Sequence, residues 1–395
     1  KPLSNYIGRS AVVETEFDEP HYFASYLIRF RIPNIGDLPQ WVNLVWNSPQ
    51  IREKVLQKSS TSAGQYNLSQ KKVLDFEIPL PPLEEQTKII SRIDELLSKL
   101  DFGFNELQNA QFRLEQYRRS VLHSAVSGET TKEWRESSNL EPASSTLQAS
   151  NTHYNIPDTW VEAKLSNICN KITDGTHNSP DNYDSGDYMY ITSKNLSGGE
   201  LDTTDVTYVS EEDHKEIYSR CDPEEGDVLY IKDGVNTGIA VYNHIENEFS
   251  LLSSVALLKP GEQVDPHYLK YCLNSPVVRN QMVKQKGGVA IRRLTLSKIN
   301  ESTIPLPPIE EQRLIVERID RKLSVVDNLR ANTDDNLERA DRLRMSIINK
   351  AIKGELISQK SVRHTSDEEI ELSESESEKP GLQGQLTLSD ITEDV

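Results

Sequence analysis

Apolar residues recur every three or four positions along two long stretches of the chain, and this spacing predicts two amphipathic helices within residues 78–129 and 304–358. A helix of roughly 44 residues would extend about 65 Å at 1.5 Å per residue, and it cannot bury such a stripe alone. Each helix therefore needs a partner. The positions expected to face that partner are Ile90, Ile93, Leu97 and Leu100 in the first stretch and Val316, Ile319, Leu323 and Val326 in the second.

The two stretches are copies of each other. Ile78 to Asp101 reads IPLPPLEEQTKIISRIDELLSKLD, and Ile304 to Asp327 reads IPLPPIEEQRLIVERIDRKLSVVD, an offset of 226 residues. Both copies have paired prolines before the helix, paired glutamates in its first turn and a glycine at its far end. These residue types favour a helix start, the positive end of the helix dipole and a left-handed C-cap. A period of this length indicates a duplicated domain pair rather than a solenoid.

Three partners could cover the apolar seams: the globular neighbour of each helix, a helix of another chain, or the other copy. Both seams have the same register and matching lengths, which favours pairing of the two copies with each other. Arg118 and Arg344 interrupt the seam late in each helix. We expect an α+β protein in which two globular domains are separated by two long helices that pair as an antiparallel coiled coil.

The remaining chain divides by composition. Residues 156–303 alternate short β-like runs with glycine turns and contain one helical stretch, which predicts an α+β domain, and residues 1–77 match only its later part. Residues 130–155 are rich in Ser, Thr, Asn and Glu and are predicted to form a linker. Residues 359–395 are acidic and poor in apolar residues, so we expect a disordered tail.

Charge and cysteine content narrow the class of protein. The net charge is −18, but the last 35 residues hold ten acidic residues against Arg363 and Lys379, and so supply −8 of it. No apolar run approaches the ~18 residues of a membrane span. The three cysteines are odd in number and widely spaced, which argues against a disulfide framework or a zinc knuckle. We expect a soluble, cytoplasmic protein whose cysteines are small core residues.

No catalytic motif is present in the sequence. It has no G-x-x-x-x-G-K-[ST] phosphate loop, no G-x-S-x-G elbow, no H-E-x-x-H zinc pair and no N-P-P-[FY] methyltransferase motif. Asp174-Gly175-Thr176-His177 contains a lone histidine without a second ligand at short spacing, which is typical of a polar loop rather than a metal site. Any chemistry is therefore expected to belong to partners.

These residues resemble the specificity subunits of type I restriction-modification systems. The family motif I-P-L-P-P-L-x-E-Q stands here twice, at Ile78 to Gln86 and Ile304 to Gln312, each time opening a long helix. Further pieces similar to the family are IPDTW from Ile156, DGTH from Asp174 and GDVLYIKDGVNTG from Gly226. The resemblance covers nearly the whole chain up to the acidic tail, and it implies that the two globular domains are target-recognition domains.

The beginning of the chain departs from the family pattern. Gly8 in NYIGRSAVV matches Gly238 in NTGIAVY, so Lys1 would correspond to Ile231. We therefore expect about 75 residues of the first recognition domain to be missing, counted from Ile156 to Ile231. The first domain is predicted to be incomplete.

The resemblance implies a non-catalytic subunit that reads a bipartite site in double-stranded DNA, with the helices setting the gap between the two halves. It also implies two methyltransferase (modification) subunits and restriction/translocase subunits as partners, with no membrane. S-adenosylmethionine, ATP and magnesium are expected on those partners, and no cofactor on this chain. Exposed apolar helix positions such as Phe102, Phe112 and Tyr117 would meet such partners.

The strongest candidate for DNA contact is the basic glycine loop that begins at Lys284, since Arg can address guanine, Gln can address adenine, and glycines allow close approach to the duplex. Taken alone, this loop would be a solvated hairpin turn, and the resemblance makes it the preferred site. The residues predicted to contact DNA are Lys284, Lys286, Gly287, Gly288, Arg292 and Arg293 in this loop, Lys171, His177, Asn178, Lys194 and Lys232 elsewhere in the second domain, and Gln65, Lys71 and Lys72 in the first.

Two other classes of protein share these features. A coiled-coil scaffold that binds only protein would have the helices but no salt-dependent DNA affinity. The recognition portion of a single-chain restriction enzyme would have the recognition domains and needs nuclease and methyltransferase motifs elsewhere.

Overall fold

A computed structural model describes residues 7–14, 18–33, 35–62, 65–138, 143, 154–284, 294–356 and 385–388. The chain forms two compact units, and each contains part of both long helices. The first unit is built from two separate parts of the sequence and the second from one continuous part. The first comprises residues 1–110 together with 332–395, and the second comprises residues 111–331. In the described parts of the chain, none of the helices is both long and apolar enough to cross a membrane.

The helices are α1 (Leu38–Trp46), α2 (Pro49–Lys58), α3 (Gln70–Leu74), α4 (Leu83–Val126), α5 (Lys132–Ser137), α6 (Leu165–Ile168), α7 (Glu211–Arg220), α8 (Pro266–Asn274), α9 (Pro276–Lys284), α10 (Leu296–Glu301) and α11 (Ile309–Ile352). The strands are β1 (Ser60–Ser62), β2 (Gln65–Asn67), β3 (Glu77–Pro79), β4 (Val161–Lys164), β5 (Cys169–Asp174), β6 (Tyr188–Ile191), β7 (Thr207–Val209), β8 (Val228–Ile231), β9 (Ala240–Tyr242), β10 (Ser250–Leu251), β11 (Val255–Pro260), β12 (Thr303–Leu306) and β13 (Gln385–Thr387).

The two long helices α4 and α11 each contain 44 residues, and their ends follow from their sequences. Acidic pairs occupy both first turns, where the helix dipole favours negative charge. Gly128 and Gly354 follow the last turns with φ of 79° and 71°, a left-handed conformation that glycine adopts without steric cost. The two predicted helices are confirmed.

Within each unit, the beginning of one long helix packs against the end of the other. In the first unit, Ile93 of α4 shares a core with Ile347 and Ala351 of α11. In the second unit, Ala125 of α4 shares a core with Ile319 of α11. The helices therefore run antiparallel, which confirms the predicted coiled coil in an α+β fold.

The depth of burial along the seam differs from position to position. Ile93, Ile319, Leu323 and Val326 are buried, whereas Ile90, Leu97, Leu100 and Val316 are half-buried. Ile89 and Ile315, which the sequence pattern did not single out, are fully buried one residue before two of the half-buried positions.

The arginines that interrupt the two seams form ion pairs between the helices. Arg118 binds Asp327 at 2.7 Å, and Arg344 binds Asp101. Both pairs join equivalent positions of the repeat, because 118 and 101 each differ from their counterparts by 226. All four side chains are partly exposed, so each pair stabilises its unit by less than about 1 kcal/mol.

The globular part of the second unit is organised by the antiparallel sheet β5-β11-β8-β9. Alternate residues of a strand point to opposite faces. In β8, Val228 and Tyr230 join one core while Leu229 and Ile231 join another, so the strand is buried on both sides. A three-stranded sheet, β10-β6-β7, lies beside the second of these cores, and β12 pairs with β4.

The predicted linker begins as folded structure. A 3-10 turn at Glu129–Thr131 and helix α5 cover the start of α11, where the carboxylate of Glu311 is fully buried. Thr131 and Arg135 each donate to one oxygen of Glu311 at 2.6 Å, and the Trp160 ring nitrogen donates to the other at 2.9 Å. The boundary predicted at residue 130 therefore cuts through a buried hydrogen-bond network, because a polar composition does not distinguish a linker from a polar cap.

The acidic tail also differs from the sequence expectation. Residues 385–387 form β13, which pairs with β3, and Leu388 is buried in the core of the first unit. The expectation of disorder for residues 359–395 is therefore wrong at residues 385–388, and its other residues lie outside the described part of the chain. Composition averaged over the tail concealed one short apolar segment.

Candidate nucleic-acid interface

The first loop of the candidate interface follows β5 and is held by its backbone. Thr176 N donates to Leu251 O at 2.8 Å, and Ser253 N donates to Thr176 O at 2.9 Å. Gly175 passes so close to this segment that an added Cβ would lie 1.8 Å from Leu251 O, so only glycine fits. The rigid loop leaves the side chains of His177 and Asn178 exposed to solvent.

A buried carboxylate lies at the base of this loop. Asp174 is 3 % exposed and accepts a hydrogen bond from Arg220 at 2.8 Å. Its oxygens also lie 3.4 Å from Lys232 Nζ and 3.4 Å from His177 Nε2. A buried charge is tolerated only when it is paired, so Asp174 fixes three cationic or basic side chains around one point.

Lys232 connects this point to two further loops. Its backbone N donates to Ser254 O at 3.0 Å, and its backbone O accepts from Leu294 N at 3.1 Å. Leu294 is the first described residue after the basic glycine loop, and it is fully buried. Leu294 is therefore fixed beside Lys232. The basic glycine loop begins at Lys284, which is exposed at the end of α9.

The third loop connects β8 to β9 and presents an apolar tip. Val235 is 99 % exposed, while Thr237 and Gly238 behind it are buried. Arg279 of α9 packs against Gly238, and its guanidinium nitrogen lies 3.4 Å from Thr237 O. The loops after β5 and β8 thus converge near Asp174 and Lys232, and Leu294 lies beside them.

The structure brings some predicted DNA contacts together and separates others. His177, Asn178 and Lys232 lie at the converging loops, although Lys232 is buried and pairs with Asp174 and Asp233. Lys171 instead pairs with Asp222 at 2.7 Å, and Lys194 pairs with Asp205 at 2.9 Å.

The other predicted contacts lie in the first unit or outside the described residues. Lys71 and Lys72 are exposed on α3, and the Lys72 ammonium donates to Lys58 O at 2.8 Å. Gln65 lies in β2. The residues that lie outside the described part of the chain are Lys286, Gly287, Gly288, Arg292 and Arg293.

Sequence reasoning missed Arg220, Arg279 and Val235. Arg220 and Arg279 lie on helices far along the chain from the loops that they support, so local motifs do not reveal them. Val235 falls inside the GDVLYIKDGVNTG segment, but its exposure depends on the turn that follows β8. The glycine-containing turn in that segment was the one sequence signal that could have indicated an exposed Val235.

Among the described residues, clustered metal ligands are absent and the cysteine thiols are weakly acidic. Among them, no group of three or more His, Cys, Asp or Glu side chains is arranged to hold a metal ion. Burial raises the pKa of Cys169 and that of Cys221 to about 12, and it raises the pKa of Cys272 further still. These thiols therefore stay protonated near neutral pH and are poor nucleophiles.

Comparison with known proteins gives one consistent family. The sequence model of the type I restriction modification DNA specificity domain matches residues 17–109 and 157–339. The chain is 29 % identical over 305 residues to the type I restriction enzyme EcoBI specificity subunit of Escherichia coli, covering 76 % of this chain and 63 % of that protein. It is 27 % identical over 315 residues to the EcoKI specificity subunit of Escherichia coli strain K12, covering 76 % and 62 %. The chain thus spans less than two thirds of the length of these relatives.

The fold is also similar to that of a solved structure described as the structural basis of complex assembly and conformational transition of the type I R-M system. The TM-score is 0.61 at 20 % sequence identity, covering 80 % of this chain and 71 % of the other. At this identity the likeness concerns the fold alone.

Proposed function

Because the chain belongs to the family of type I restriction modification DNA specificity domains, we propose that it is a non-catalytic specificity subunit that reads double-stranded DNA. The observation that carries the proposal is the convergence of the loops after β5 and β8 at Asp174 and Lys232 in the second unit. The backbone after β5 is fixed by hydrogen bonds, and His177, Asn178 and Val235 present exposed polar or apolar side chains, which is what a reader of base edges needs.

In this proposal, the side chains at the loop tips have different tasks. His177 and Asn178 donate to or accept from base edges, and Val235 contacts a thymine methyl group. Arg279 and Lys284 neutralise phosphates. Asp174 and Lys232 touch no DNA, and they hold the loops in position through their buried ion pair.

Each recognition domain would read one half of a bipartite site, and the paired helices would set the unread gap between the halves. Two modification subunits that bind S-adenosylmethionine would methylate adenine at the site, and ATP-dependent restriction subunits would join them. Phe102, Phe112 and Tyr117 are exposed on α4, and we propose that they contact these subunits. A cytoplasmic location would give the assembly access to chromosomal DNA.

The decisive test is methylation mapping. The chain would be co-expressed with its modification subunit, and genomic N6-methyladenine would be mapped by sequencing. A single split motif that gains methylation is expected, and loss of that methylation with His177→Ala and Asn178→Ala together would tie it to these loops. No methylated motif, combined with no salt-dependent binding to duplex DNA, would favour a protein-only scaffold.

The basic glycine loop has its own test. Arg292→Ala or Arg293→Ala should cost about 1 to 3 kcal/mol on the specific site and relax one position of one half-site if the arginine reads a base edge. Binding that weakens evenly across sequences would indicate phosphate contact instead. Unchanged affinity and salt slope in both variants would remove this loop from the interface.

A further inference from the structure

One edge of β3 in the first unit is occupied by a segment from the C-terminal tail. The register places Leu386 opposite Ile78 and Thr387 opposite Glu77. Just beyond the strand, Leu388 N donates to Phe76 O at 2.9 Å. Leu388 itself is 2 % exposed and belongs to the core of the first unit.

The second unit contains the same arrangement, made by a different part of the chain. There β12 pairs with β4, with Ala163 opposite Ile304 and Lys164 opposite Thr303. Just beyond that strand, Leu165 N donates to Ser302 O at 2.9 Å, and Leu165 is fully buried. Leu388 thus occupies in one unit the place that Leu165 occupies in the other.

The two arrangements are equivalent in position as well as in shape. Ile78 and Ile304 are the same position of the 226-residue repeat, and so are Phe76 and Ser302. The occupying segments also have similar sequences, because Leu-Ser-Asp-Ile at 388–391 parallels Leu-Ser-Asn-Ile at 165–168. Register, hydrogen bonding, burial and sequence therefore agree, although these two segments do not follow the 226-residue offset.

We propose that the β3 edge is a docking site for a Leu-Ser-Asx-Ile type of segment, and that residues Gln385–Leu388 of this chain are its occupant. Strand addition explains both parts of the contact: backbone hydrogen bonds supply affinity, and the pocket that receives Leu388 supplies selectivity. Residues Gln385–Leu388 thus take in the first unit the position that Val161–Leu165 take in the second.

The docked segment belongs to the same chain as the edge that it occupies. In the sequence, residues 357–384 separate it from the turn after α11, a distance of 28 residues. Docking within one chain does not depend on protein concentration, so a free peptide of the same sequence has to be added in excess to compete for the site.

Hydrogen exchange on the full-length chain tests the docking. Leu388→Asp would introduce a charge into a buried position, so exchange should accelerate on the order of tenfold or more across residues 76–80 and 385–388 and stay unchanged across 302–306. Leu165→Asp is the matched variant, and it should produce the reverse pattern. Unchanged exchange across 76–80 in Leu388→Asp would overturn the proposal.

Peptide addition separates docking from a general loss of structure. A synthetic peptide of residues 383–395, added to the full-length Leu388→Asp protein, should restore slow exchange across 76–80. The same peptide carrying Leu388→Asp should not. Equal restoration by both peptides, or restoration by neither, would count against a selective docking site.

A disulfide test identifies the occupant. Ile78→Cys with Leu386→Cys places two cysteines directly opposite each other, and mild oxidation should link them within one chain. Ile78→Cys with Thr387→Cys is the control, because neighbouring strand residues point to opposite faces and should not link. Disulfide-linked dimers in place of the internal link would assign the edge to a second copy and overturn the assignment made here.

Discussion

In the second unit a polar cap covers the first turn of α11, whereas in the first unit the first turn of α4 is more exposed to solvent. Glu311 is fully buried and bonded to Thr131, Arg135 and Trp160, while its counterpart Glu85 is half-buried. At the 226-residue offset, Thr131 and Arg135 correspond to Ile357 and Ser361, neither of which is a cation. The repeated motif begins both helices, but the sequence around it decides how deeply each glutamate is buried.

The two units also obtain an equivalent strand from different parts of the chain. In the second unit β4 lies near the start of residues 156–303, and in the first unit β13 comes from residues 385–387. A duplicated sequence can therefore lead to similar backbone arrangements by different routes. The differences between the two units should appear as different sensitivities to matched substitutions.

The largest effect is expected where the units are most alike, in the helix seam. Ile319→Asp and Ile93→Asp each place an unpaired charge at a buried position and should each destabilise the protein by on the order of 4 kcal/mol. Thermal unfolding measures the loss, and hydrogen exchange identifies the affected unit. Val325→Asp and Phe102→Asp, at exposed positions of the same helices, are the controls and should change stability by less than about 0.5 kcal/mol. Unchanged melting temperatures for both seam variants would refute the helix pairing.

The second prediction concerns the cap, where the units differ. Arg135→Ala leaves the buried Glu311 carboxylate without its cation and should cost about 3 kcal/mol, measured by chemical denaturation. Adding Glu311→Gln to this variant should recover part of the loss, because the amide carries no charge. Glu85→Gln in the first unit should cost less than about 1 kcal/mol. Equal costs for Arg135→Ala and Glu85→Gln would remove the distinction between the two caps.

The third prediction concerns DNA reading by the second unit. His177→Ala should weaken binding to the specific duplex by about 1 to 3 kcal/mol and relax one position of one half-site, if the ring contacts a base edge. The control is Lys215→Ala, which removes an exposed cation paired with Glu211 on α7, outside the converging loops. Binding would be measured with the modification subunit present, on site and scrambled duplexes at several salt concentrations. Relaxed selectivity in both half-sites would contradict separate reading by the two domains.

The smallest effect should be the same in both units. Arg118→Ala and Arg344→Ala each remove an ion pair between partly exposed side chains and should cost between about 0.2 and 1 kcal/mol. Double-mutant cycles with Asp327 and Asp101 measure the two coupling energies. A difference between them of more than about 1 kcal/mol would show that the two ion pairs are not equivalent.

The sequence predicted the features that depend on local spacing. The periodic apolar residues and the glycines at 128 and 354 located both long helices, and the repeat identified their equivalence. The pairing of Arg118 with Asp327 was not predicted, because the periodic pattern treated each arginine only as an interruption. The same limit applies to Glu311. The helix dipole already accounted for a glutamate in the first turn of α11, so nothing in the sequence indicated its buried hydrogen-bond partners.

The sequence predicted the motif of the candidate site, but it did not predict the residues that hold the motif in place. The DGTH segment was identified as a polar loop, but its anchoring depends on Arg220 and Leu251, which are distant in sequence. Leu388 was missed because the acidic residues before it dominate the composition of the tail. In both cases the missing information is a long-range contact, which neither composition nor periodicity records.

The close approach of Gly175 to Leu251 has a consequence for how such a protein can change over generations. The backbone of the loop is fixed by Gly175, by the Thr176 hydrogen bonds and by the buried Asp174, whose ion pairs with Arg220 and Lys232 do not depend on the side chains at positions 177 and 178. Substitutions at those two exposed positions should therefore leave the stability of the domain largely unchanged, and under the proposed function they would alter which bases are read. If the loop reads DNA as proposed, new target sequences can evolve by substitutions at these exposed positions without a new fold.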